Sequence, residues 1–65
     1  MITLLNRINH LYENIEMGFL TKGQAMTAMR SMKFSILDKF EEGSDNFITC
    51  INTLIDVNSL VEDIY

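Results

Sequence analysis

The chain contains no proline, one cysteine, one histidine and three glycines among its 65 residues. Each scarcity excludes something. Without proline, no position is barred from a helix by a missing amide or a ring clash. A single cysteine, Cys50, excludes an internal disulfide. Cys50 and the lone His10 stand far apart in sequence with no ligand-like spacing around either, so no metal and no other cofactor is expected. No run approaches the ~18 apolar residues of a membrane span. The opening stretch MITLLNRINHLYENIEM lacks a basic region followed by an unbroken apolar core, as a secretory leader requires. A soluble, cytoplasmic protein with a reduced thiol is the expectation.

Basic charge is also scarce. Five lysines and arginines face nine acids, for a net charge of −4. Nucleic-acid binding draws on clustered positive charge, so it is disfavoured. All five bases (Arg7, Lys22, Arg30, Lys33 and Lys39) precede Phe40. From Phe40 onward there are six acids (Glu41, Glu42, Asp45, Asp56, Glu62 and Asp63) and no base. Pairing between helices accounts for that asymmetry; a bipolar surface that steers a partner would also use it.

What the sequence has in quantity is apolar residues, 48% of the chain. Leu4, Leu5, Ile8, Leu11, Tyr12 and Ile15 recur at three-to-four-residue spacing, which predicts a helix over about 3–17. Thr3 is its expected N-cap. Gly18 is its expected stop, because glycine takes the left-handed C′ conformation without steric cost. Phe19 and Leu20 are then expected to fall back onto the core.

Thr21-Lys22-Gly23-Gln24 matches a capping box and opens a second helix, expected over about 21–42 with Gly43 ending it. Its apolar ridge is Ala25, Ala28, Met29, Met32, Ile36 and Phe40, flanked by Met26 and Leu37. Ser44 or Asp45 should cap a third helix over about 45–64. A second capping-box pattern, Ser59-Leu60-Val61-Glu62, predicts a possible break near Asn58. The β-branched residues of Phe47–Ile55 also give that stretch some strand character.

The third helix is the most informative element. Phe47, Ile48, Cys50, Ile51, Leu54, Ile55, Val57, Leu60, Val61, Ile64 and Tyr65 cover much more than the roughly 100° stripe that one neighbour requires. A chain of this size buries only about 60% of its unfolded surface. With disulfide and metal excluded, association is the reinforcement left. The expected fold is therefore all-α: an antiparallel hairpin of helices 1 and 2, with helix 3 packed across it and across a second copy of the chain. A homo-oligomer, most simply a dimer, is expected to form through Phe47, Ile51, Leu54, Ile55 and Val61.

No catalytic constellation is visible, so an enzyme is not expected. His10 falls on the polar side of helix 1 with Asn6 and Glu13, away from any nucleophile. Adjacent Glu41 and Glu42 read as a solvated helix end, and the isolated glycines as helix punctuation. Cys50, on the apolar arc, reads as a small hydrophobe. Met26, Met29 and Met32 are ordinary core filler or an adaptable binding surface.

Phe34 is the anomaly. It projects opposite Met32 and Ile36, among Thr27, Arg30, Ser31 and Asp38. Arginine and an aromatic one turn apart are the residue types that dominate binding hot spots. Thr27, Arg30 and Phe34, with Met26 beside them, are the candidate partner-binding residues. The function expected is a small non-enzymatic regulator or inhibitor that binds an unidentified protein, a build that matches accessory proteins of phages and mobile elements in style alone. A second reading is a nucleotide-like ligand held between subunits, with Tyr12 stacking and Lys22 or Arg30 on an anion. A third is a helix–turn–helix over residues 11–30, which the acidic balance and the long second helix disfavour.

Overall fold

A computed structural model describes residues 3–65. Three helices follow one another: α1 (Thr3–Glu16), α2 (Lys22–Lys39) and α3 (Asp45–Ile64). Among the described residues there is no strand. Short connections reverse the chain twice, so α1 and α3 run alongside each other and α2 runs against both. The longest dimension, 31 Å, is the length of α3, since 20 residues at 1.5 Å each span about 30 Å.

Local chemistry accounts for most of the ends. Glu16 closes α1 one residue before the expected boundary. Gly18 then takes φ +79, its N–H donating to the Ile15 carbonyl at 3.0 Å while the Phe19 N–H donates to Asn14 at 3.0 Å. That pair of bonds is a Schellman motif, and it satisfies carbonyls the helix end would leave free. Thr3, expected as a cap, is instead the first helical residue. The capping box of α2 forms in full: Gln24 N–H donates to Thr21 Oγ1 at 3.1 Å, and Thr21 N–H donates to Gln24 Oε1 at 2.9 Å.

Two expectations about helix ends are corrected. The second helix stops at Lys39 rather than Glu42. Phe40 turns extended (φ −121, ψ 144) while its N–H still reaches Ile36, and its ring stays packed against the core. Stopping there leaves Glu41–Ser44 to cross to α3; a helix run on to Glu42 would leave only Gly43 and Ser44. Gly43 (φ +86) accordingly serves a turn closed by Ser44 N–H to Glu41 at 3.0 Å, in the position where a type II turn needs positive φ.

The third helix is unbroken through Asn58. Ser44 caps it, accepting from Phe47 N–H at 3.3 Å. Glu62 accepts from the Asn58 amide at 3.1 Å instead of folding back to cap Ser59. The strand character of Phe47–Ile55 is overridden by the cap and by packing. Thr49 and Thr53 direct their hydroxyls to the carbonyls four residues back, at 2.9 and 2.8 Å, which keeps both hydroxyls bonded within the helix.

Buried side chains come from one stripe of each helix: Leu4, Ile8, Leu11 and Ile15; Ala25, Met32 and Ile36; Cys50, Val57 and Val61. No polar or charged residue among those described is buried. α3 is the common partner, packing more extensively on α1 and on α2 than those two pack on each other. The Tyr65 hydroxyl donates to the Leu20 carbonyl, tying the end of α3 to the α1–α2 turn. Leu20 packs on the core as expected. Phe19 does not: the Schellman turn points it outward, 69% exposed.

Gly18 and Gly23 give a paired test of this reading. A Cβ at Gly18 would meet no atom within 4 Å, so Gly18→Ala should cost about 1 kcal/mol through left-handed backbone strain. Gly23 lies in the first turn of α2 with ordinary φ and room for a Cβ, so Gly23→Ala should add about 0.5 kcal/mol. Urea-unfolding midpoints should move in opposite directions for the two variants.

Candidate functional site

Three rods packed side by side leave a furrow along each seam, and each furrow here has its own chemistry. Between α2 and α3 runs a groove of about 400 Å³. Met26, Met29, Ile51, Leu54 and Ile55 form its apolar floor, and Arg30, Lys33 and Asn58 its polar rim. Between α1 and α3 lies one of about 390 Å³ whose charged residues are Asp56 and Asp63, beside Tyr12, Asn9 and Ser59. The furrow between α1 and α2, about 550 Å³, carries Arg7 and His10 near Leu11, Leu20 and Met32. Opposite charge therefore sits on the two flanks of α3.

The α2/α3 groove continues beyond its lining residues. Met26 and Leu37 on α2, and Ile48 and Ile55 on α3, are all exposed. On α2, Met26, Arg30, Lys33 and Leu37 follow one another at helical spacing, as Ile48, Ile51, Ile55 and Asn58 do on α3. Because α2 and α3 run antiparallel along this groove, Leu37 and Ile48 extend the same strip beyond Lys33 and Ile51. A smaller apolar cap of Met17, Phe19, Ile64 and Tyr65 is exposed at the end of the bundle held by the Tyr65–Leu20 bond.

The candidate residues sort unevenly onto this surface. Met26 and Arg30 line the groove; Thr27 and Phe34 are exposed on the back of α2, Phe34 at 64%. Among the five residues expected between subunits, Ile51, Leu54 and Ile55 also line the groove. Ile55 is the most open, at 56%. Val61 is corrected: at 2% exposure it is consumed by the chain's own core, because α1 and α2 embrace α3 on that side. Phe47 is half-buried against the same core.

The three ligand candidates do not converge within one chain. Tyr12 lines the α1/α3 furrow and Arg30 the α2/α3 groove, and Lys22 stands exposed in the first turn of α2. Sequence reasoning missed Leu37 and Ile48 as open surface. The available signal was their spacing: Leu37 projects to the same side of α2 as Met26 and Lys33, one position beyond buried Ile36.

The residues lining the groove include no histidine, cysteine or carboxylate. Among the described residues no cluster of histidine, cysteine and carboxylate could hold a metal ion. His10 is exposed on α1 and Cys50 is enclosed on α3. Burial pushes the Cys50 thiol above its usual range, which disfavours the nucleophilic thiolate. No described helix is long and apolar enough to cross a membrane. No family model, curated protein or solved structure matches this chain.

Enclosure of Cys50 has a direct readout. At mildly alkaline pH its modification by a thiol reagent should be slowed on the order of 100-fold or more relative to the chain in guanidinium, since attack awaits an opening of the core. Equal rates in the two conditions would mean that α3 does not pack as described.

Proposed function

We propose that this protein is a small non-enzymatic regulator or inhibitor that acts by binding another protein through the outer side of α2. The observation that carries the reading is Phe34. A phenylalanine 64% exposed, with Arg30 one turn before it and Thr27 two turns before it, offers a flat apolar anchor beside a planar cation. These side-chain types supply most of the energy in protein interfaces. Met26, 41% exposed, adds an adaptable thioether at the edge of the same surface.

Competing readings have less geometry behind them. A nucleotide-like ligand would need Tyr12 and Arg30 brought together by a second subunit, since a single chain holds them in separate grooves. A helix–turn–helix function would have to operate with a net charge of −4 and acids along the flank of α3.

Arg30→Glu combined with Phe34→Ala tests the binding face. Both positions are exposed in the single chain, so helicity should stay close to wild type. Affinity for proteins captured by the immobilised chain from its source-cell lysate should fall by about 2 kcal/mol or more, roughly 30-fold. Retention of the same proteins with unchanged affinity would remove this face from consideration.

A further inference from the structure

We propose that the α2/α3 groove is covered by a second copy of the same chain, in a two-fold pair that lays α2 of each copy along α3 of the other. The result is an antiparallel four-helix bundle at the centre of the dimer, with α1 of each copy outside it. This goes beyond the target-binding reading, which rests on Phe34 at the far edge of α2.

The first support is apolar area. The groove floor of Met26, Met29, Ile51, Leu54 and Ile55 joins exposed Leu37 and Ile48 into a strip along both helices. Two helices about 30 Å long and 8–10 Å apart present on the order of 500–600 Å². Paired with its own image, that face buries roughly 1,000–1,200 Å² in total, the range at which specific interfaces begin.

Charge then selects the arrangement. α2 carries Lys22, Arg30, Lys33 and Lys39 against one acid, Asp38, for a net of +3. α3 carries four acids and no base; Asp56 and Asp63 line the far furrow, and Glu62, which accepts from the groove residue Asn58, is the acid at this edge. Two antiparallel helices seen face-on allow two in-plane two-fold axes. An axis across the helices would stack α2 on α2 and α3 on α3, like charge on like. An axis along the seam places the Arg30 and Lys33 edge of α2 over the partner copy's α3, which carries no base, and keeps every residue at its own level. Electrostatic complementarity of this kind sets register and excludes the wrong pairing. Both axes make each neighbouring helix pair antiparallel, the packing of four-helix bundles, so charge rather than helix direction decides between them.

Sedimentation equilibrium of the full chain at micromolar concentration should give twice the 7.5 kDa chain mass. Ile55→Glu and Leu37→Glu, each at a position about half exposed in the single chain, should shift the protein to monomer with helicity retained. Leu37→Cys and Ile48→Cys chains, unfolded and refolded together, should oxidise to a mixed disulfide in preference to either like pair. A monomeric wild-type protein would overturn the proposal and leave the groove to some other protein. A dimer insensitive to both glutamate variants would overturn it as well, as would cross-linking that favours like pairs.

Discussion

A helix of 20 residues whose apolar positions run most of the way around it cannot be covered by two shorter neighbours, and this molecule is organised around that constraint. α1 and α2 divide α3 between them. They enclose Cys50, Val57 and Val61 and half-cover Phe47, Ile51, Leu54 and Leu60. Ile48 and Ile55 are left over on the side where α2 meets α3. Among the described residues the core amounts to ten buried hydrophobic side chains, few for a domain that must offset the ordering entropy of the chain.

The same division explains why the grooves differ. α2 contributes only Ala25, Met32 and Ile36 to the buried core, and Ala25 is small. Met26, Met29 and Leu37 therefore lie at the seam rather than beneath it. On the other flank of α3 the outward positions are Asp56, Ser59 and Asp63, so the furrow against α1 is polar and acidic. One seam is apolar and edged by cations; the other is polar and edged by carboxylates. Arg30 stands between the groove and the Phe34 shoulder, so substitution there touches both surfaces, whereas Phe34 and Ile55 each report on one.

Legibility in the sequence followed the range of the interaction involved. The Thr21 capping box, a cap at Ser44 or Asp45 and the Gly18 stop were readable because each is decided by atoms within a few residues. Heptad-like spacing in α1 identified Leu4, Ile8, Leu11 and Ile15, every one buried. Local patterns misled where the rest of the molecule outweighed them. Ser59–Glu62 fits a capping box, yet packing of Val57 and Val61 into one continuous stripe keeps the helix whole. Gly43 looks like a helix stop, yet the crossing from α2 to α3 needs it one turn later. Phe34 was legible as an outward aromatic from projection alone, because it lies opposite a clear apolar ridge.

The sequence by itself determined three helices, their order, most of their caps and the inward face of each, because periodicity and capping are local and the chain has no proline or disulfide to disturb them. Only the tertiary structure decided how the apolar excess of α3 is shared. Val61, read as surface between subunits, goes to the core. Ile55 remains open, and Met26 and Arg30 on α2 come alongside Ile51 and Leu54 in a single groove. Those outcomes depend on which side of α3 each neighbour occupies, a choice made by packing across distant positions that no single helix pattern encodes.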